Sequence, residues 1–333
     1  MKQNKIDLRS ALLLSLLLNP LLRSGTGYWS RAGLLTAPLC AALLFLVAVL
    51  FSAGWQRIAV RPLRIFFCAI LALGSAFEIL RLRRLLQMMY PGTITLLGCC
   101  FVLLLPVIYL RREPSLRQTS AAVLVLLMIG LFVLVVSVFP CLKVTNLQQG
   151  PLSWQDLSDA VRSQLVLYPE YLLPALWPQT EQRRNRSLLV LCGSAVAADA
   201  AVHVFLELFF GASMPWQTAP FQAAAQCGAL SIFNRLEWMQ LVLWCMIVPI
   251  KLGLYLYAMI GLSGGHTESL DTAVGLDRFP AYLAGMVLLC ILFRNVDPDR
   301  LQFWETAACL GIAVPTVLGG ICQCVFTSKK RSA

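Results

Sequence analysis

The sequence predicts an all-α polytopic membrane protein of about ten transmembrane helices, and three observations predict it. Hydrophobic residues make up 59% of the 333 and charged residues only 13%, about half the ~25% charged share of soluble domains. The apolar residues gather in runs close to the ~20 residues that cross hydrocarbon as a helix. The net charge of +11 lies mainly in short stretches between those runs. No long basic stretch, zinc pattern or aromatic RNA motif accompanies it, which argues against a nucleic-acid partner.

The runs fall at about 10–24, 33–54, 63–84, 92–111, 119–139, 157–176, 187–211, 234–262, 278–294 and 303–326. They make one transmembrane domain, 1–333, with a first half at about 10–139 and a second at about 157–326. The segment 119–139 carries no charge at all. Two segments are broken. The first contains Asn19-Pro20 and then Ser24-Gly25-Thr26-Gly27, and the sixth contains Tyr168-Pro169-Glu170. Breaks five helices apart are what a five-plus-five inverted repeat with interrupted helices 1 and 6 produces. No residue-level repeat links the halves, so the expectation rests on the breaks. The long connections 140–156 and 212–233 hold Trp154 and Trp216, suited to short helices at headgroup level.

Orientation follows from Lys and Arg. With the N-terminus inside, sixteen lie on inner segments and seven on outer ones, so both termini are expected in the cytoplasm. Arg81, Arg83 and Arg84 dissent, implying that the third helix passes beyond the bilayer or faces a cavity. No cleavable signal peptide is evident, since the first run lacks a small-residue cleavage site.

Glu170 is the first candidate for chemistry. A carboxylate in hydrocarbon costs several kcal/mol and is kept mainly where it faces protein, water or a ligand. Pro169 removes a backbone donor beside it, so Tyr168, Pro169 and Glu170 are candidates to bind a cation, a proton or a ligand amine. The alternative is a helix-terminal acid reaching water. Ser24, Gly25, Thr26 and Gly27 are the matching half, where a following helix N-terminus would meet a carboxylate; equally, they are turn residues of an outer loop.

Asp199, His203 and Glu207 recur at i, i+4 and i+8 on one helical face. They either relay protons or pair with Arg235 or Lys251 of the eighth segment. Glu78 precedes Arg81 by three and Arg84 by six, and should pair within its helix. Arg235 and Glu237 open the eighth segment, and Lys251 lies near its middle, where an ammonium needs a partner or water. These residues are candidates for proton or ion-pair work.

Nothing calls for an enzyme, a cofactor or a metal. There is no G-x-S-x-G, H-E-x-x-H, phosphate loop or dinucleotide fingerprint. Most of the twelve cysteines sit in apolar runs as small hydrophobes, with no C-x-x-C among them. Cys322-x-Cys324 is a weak metal signal, and Asn185-Arg186-Ser187 is a chance sequon on the inner side.

Several stretches together resemble a known family. They are Pro140-Cys141-Leu142-Lys143-Val144-Thr145-Asn146-Leu147, Tyr168 to Leu176, and Phe233-Asn234-Arg235-Leu236-Glu237 followed by Trp244 and Lys251-Leu252-Gly253-Leu254-Tyr255-Leu256-Tyr257. The chain resembles the endospore germination permeases, the B subunits of nutrient germinant receptors, within the amino acid–polyamine–organocation transporters. The likeness covers most of the chain and is thinnest in the first three helices. The resemblance implies a transporter-like fold in the spore inner membrane or the cell membrane that binds a small germinant, often an amino acid, and triggers germination. It also implies a larger membrane subunit and a lipoprotein subunit as partners. Two other functions fit the residues: a proton-coupled secondary transporter of amino acids or amines, and a structural assembly subunit.

Overall fold

A computed structural model describes residues 8–21, 29–58, 60–89, 92, 95–110, 112–147, 151–177, 180–217, 219–230, 233–234, 237–263, 279–296 and 298–331. The helices are α1 (Arg9–Leu21), α2 (Ser30–Ile58), α3 (Arg61–Met89), α4 (Leu96–Leu110), α5 (Glu113–Val138), α6 (Trp154–Gln164), α7 (Pro169–Leu172), α8 (Glu181–Phe210), α9 (Pro220–Cys227), α10 (Glu237–Leu262), α11 (Phe279–Leu292) and α12 (Pro298–Arg331). Short 3-10 turns follow α5, α7 and α8. The residue pairs β1 (Ala229–Leu230) and β2 (Phe233–Asn234) run antiparallel, with Leu230 opposite Phe233.

Among the described residues, α2, α3, α5, α8, α10 and α12 are long and apolar enough to cross a membrane, and α1, α4 and α11 are shorter apolar helices. In the most apolar stretch of α10, 83% of residues are buried, against 28% for α2 and 33% for α5. Helix α10 is therefore the axis of the bundle. Helices α2, α4 and α5 turn Leu35, Leu39, Phe101, Leu105, Met128 and Phe132 outward. Such an apolar exterior suits lipid and would be unusual against water.

Close helix packing is set by small residues, as membrane interiors favour. Where α2 crosses α12, a Cβ on Gly54 would strike the backbone carbonyl of Thr316, and one on Gly320 would come within 2.8 Å of the Gly54 Cα. The two backbones touch there with no side chain between them.

The sixth apolar run is not one helix. Helix α6 opens on a reciprocal cap, in which Ser153 Oγ accepts from the Asp156 N–H and the Asp156 carboxylate accepts from the Ser153 N–H. It stops at Gln164, and residues 165–168 run on without helix before the single turn of α7. The break thus starts four residues ahead of Pro169. Its far end follows from sterics: a residue before proline is pushed out of the helical region, and Tyr168 sits at φ −87°, ψ 152°. The connection after α5 is also more specific than an interfacial helix. Its turns pack on the end of α8, where Lys143 N–H donates to Leu208 O at 3.0 Å and Asn146 Nδ2 to the same oxygen at 2.9 Å. Gly211 closes α8 at φ 55°, with the Asn146 side chain lying where a Cβ would point. Trp154 and Trp216 are both 85% exposed.

Candidate functional site: an ammonium shared by three helices

Lys251, fully buried in α10, holds the centre together. Its Nζ donates to Glu78 Oε1 of α3 at 2.8 Å, to Asn19 Oδ1 of α1 at 2.9 Å, and lies 3.0 Å from Glu170 Oε1 of α7. An ammonium has three N–H donors, and three oxygens from three other helices surround this one. The rings of Tyr168 and Tyr255 stand 5.8 and 5.7 Å away, adding their negative faces. Taking an ammonium and its partners out of water costs several kcal/mol per ion unless the geometry returns it. Here short, charge-assisted bonds offset part of that cost.

Each carboxylate has a second donor. Glu170 Oε1 also accepts from Ser15 Oγ of α1 at 2.6 Å, and Glu78 Oε1 from Arg81 Nη1 at 2.9 Å. The Arg81 side chain is 12% exposed, so one member of the dissenting arginine cluster is drawn inward by Glu78. The outer oxygens, Glu78 Oε2 and Glu170 Oε2, and the amide nitrogen of Asn19 have no hydrogen-bond partner among the described residues.

A fourth helix adds a third acid. Glu305 of α12 is buried, and neither carboxyl oxygen has a hydrogen-bond partner among the described residues. It lies within electrostatic reach of Lys251, Glu78, Arg81 and Glu170. Gly74 of α3 makes room for it, since a Cβ there would sit 2.8 Å from Glu305 Oε1 and 3.0 Å from Tyr255 Cε2.

The structure brings Tyr168, Glu170, Glu78 and Lys251 to this one centre, with Pro169 buried in the same turn. Asp199, His203 and Glu207 are all buried on α8, and none of the three is bonded to Lys251. Glu207 Oε2 accepts from the N–H of Ser30 at 2.7 Å and from its hydroxyl, closing the start of α2. Helix starts leave N–H groups unmet and carry partial positive charge, so an acid suits that place. The expected alternative pairing of this stripe with Lys251 is replaced: the ammonium's bonds go to Glu78, Glu170 and Asn19, because α3, α7 and α1 surround that point of α10. Ser24, Gly25, Thr26, Gly27 and Arg235 lie outside the described residues. Glu237 begins α10, and its side chain is likewise outside them.

Sequence reasoning passed over Ser15, Asn19 as a ligand, and Glu305. Asn19 was visible only as a helix breaker. Glu305 had a signal, an acid two residues into an apolar run, that reads as a helix end.

Two cavities neighbour these elements. One, of about 20 Å³, touches the break and is lined by Asn19, Gln164, Tyr168, Tyr171 and Asp199. That is room for about one water. The other, about 680 Å³, opens between the start of α1 and the start of α8, with Arg9, Trp177, Thr180, Arg183 and Arg186 in its wall. Neither Glu170 nor Lys251 lines it.

Compared with known proteins, the sequence matches no family model, and no curated protein is significantly similar to it.

Proposed function

We propose that the chain is the membrane subunit of a spore nutrient-germinant receptor that binds a small amine-bearing germinant, such as an amino acid, at Glu170. In this reading ten spans form a five-plus-five inverted repeat in the spore inner membrane or cell membrane, with both termini cytoplasmic. The observation that supports it best is that Lys251 bonds Glu78 and Glu170 at once. Both acids hang on one cation from different helices, and Glu170 stands on a short turn beside a non-helical stretch. An arriving ammonium that takes Glu170 leaves Lys251 to Glu78, so one cluster has two arrangements. The space at the break holds about one water, so the pairing described is the closed arrangement and binding requires α7 to move.

A ligand shifts such an equilibrium only through differential affinity; going from 1:99 to 99:1 takes roughly 5.5 kcal/mol. A new ion pair with two or three charge-assisted hydrogen bonds is of that order. The transition would pass to the larger membrane subunit and the lipoprotein subunit through α7 and α10. The test is a thermal-shift titration of the purified chain with amino acids, paired with spore germination by Glu170→Gln. A saturable shift lost in E170Q, with a right-shifted germination dose response, is expected. A germination response unchanged in E170Q removes Glu170 from sensing.

The second reading is a proton-coupled transporter of amino acids or amines, favoured by an acid, Glu305, beyond those that Lys251 and Arg81 balance. Vesicles loaded with labelled amino acids separate it from the first: flat uptake at every pH excludes transport.

A further inference from the structure

The charges around Lys251 do not balance. Glu78, Glu170 and Glu305 bring three carboxyl groups into one buried volume, and Lys251 and Arg81 bring two cations. Glu78 and Glu170 are each bonded to Lys251, and Glu78 to Arg81 as well. Glu305 is bonded to neither, although it is buried and close to both. An uncompensated carboxylate so enclosed is disfavoured by far more than its neutral acid. We infer that Glu305 is a proton-binding site: in the closed bundle its carboxyl group carries a hydrogen, which makes the cluster neutral.

The surroundings favour a proton over a metal cation. A sodium ion needs several oxygens converging on an open space. Glu305 lines neither cavity described above, and its carboxyl packs close to the backbone at Gly74, beside which the ring of Tyr255 also lies. A proton needs no such space. The ionisable groups facing Glu305 are Glu78 and Arg81 from α3, Glu170 from α7, Lys251 and Tyr255 from α10, and Cys309 one turn along α12. Helix α2, which also packs on α12, carries Arg31, Cys40 and Arg57, and none of these is bonded to Glu305.

Release of the proton is a simple step. The O–H bond breaks, its electron pair stays on the carboxyl oxygen, and the proton passes to water admitted when the helices part. The cluster then gains one negative charge, which an incoming cation offsets. Proton out and amine in is thus an exchange that conserves charge in the dry centre. The inference concerns the solute-free protein and rests on the helical bundle alone, not on the choice between receptor and transporter.

Infrared difference spectroscopy of the full chain in nanodiscs, in H₂O and D₂O near neutral pH, tests it. The wild type should show the carbonyl band of a protonated carboxyl group that shifts on deuteration and fades as the pH is raised. Glu305→Gln should lose that band and keep the fold, since an amide copies the neutral acid in shape. Glu181→Gln, at an exposed carboxylate, should keep the band at full amplitude. Glu305→Asp, with the same group on a shorter arm, should show it displaced, which covers the case of an E305Q chain that does not fold. A wild type without the band overturns the inference, and so does an E305Q spectrum that keeps it. Wild-type protein without the band but stabilised by sodium and not by choline would put a metal cation where the proton is assigned.

Discussion

Ser15 and Lys251, 236 positions apart, bind the same oxygen: Glu170 Oε1 accepts from Ser15 Oγ at 2.6 Å and faces Lys251 Nζ at 3.0 Å. The first apolar helix and the central one are thereby joined through a carboxylate that belongs to neither. Ser15→Ala removes a hydrogen bond to a charged group, a loss of about 1.5–3 kcal/mol. The variant should unfold at lower temperature, and Ser15→Thr, which keeps the hydroxyl, should recover much of the difference.

Lys251→Met leaves Glu78 and Glu170 without their common cation. Removing one partner of a buried pair costs about 3–5 kcal/mol, so K251M should express poorly or melt well below the wild type. The double variant Glu170→Gln with Lys251→Met should be more stable than K251M alone. Additive losses in that double-mutant cycle, by thermal melting in detergent, would mean the two residues do not interact energetically.

At the start of α2, Glu207→Leu deletes the acceptor for the Ser30 N–H and hydroxyl. The loss of such a cap is about 1–2 kcal/mol, and Glu207→Gln, which keeps one carbonyl acceptor, should lose less. Hydrogen exchange of the first turn of α2 should rise in E207L and leave the centre of α10 unchanged; equal rises in both would place Glu207 in a global rather than a local role.

Gly54→Ala should disturb the crossing of α2 and α12, because the added Cβ meets the Thr316 carbonyl and backbone does not yield as a side-chain tip does. Overpacking of this kind costs about 1–3 kcal/mol. Gly193→Ala, where a Cβ meets nothing within 4 Å, should be neutral, and equal melting temperatures for the two variants would contradict the backbone contact.

The proposed topology places residues 140–156 and 212–233 outside. Cys141 and Cys227 are exposed free thiols in those connections. A membrane-impermeant maleimide applied to intact cells should modify both, and a chain that reacts only after lysis would reverse the orientation.

The apolar helices were legible because their signal is local and repeated: twenty residues of Leu, Val, Ala and Phe report themselves. The non-helical stretch near Glu170 was legible for the same reason, through Pro169. Its start was not, because nothing local at Leu165 ends a helix; Gln164 is held instead by α2, donating to Gly33 O at 3.0 Å and accepting from Thr36 Oγ1 at 3.0 Å. The pairing of acids and bases was the least legible part. Glu78 with Arg81 could be read at i, i+3, but Lys251 with Glu78 spans 173 positions and with Asn19 spans 232. Such pairs are chosen by which helices become neighbours. Glu207 shows the same limit: its stripe was visible on α8, yet its partner is the first residue of α2.

Synthesis runs from the N-terminus, and this gives the distance between Asn19, Glu170 and Lys251 a temporal meaning. In the proposed topology, Glu170 of α7 enters the bilayer about eighty residues before the cation paired with it has been made. At ~5–20 residues per second the acid waits for seconds, with Ser15 as its available donor. The nascent chain should therefore lean on insertion machinery at that stage, and a truncation ending before α10 should be degraded rather than accumulate.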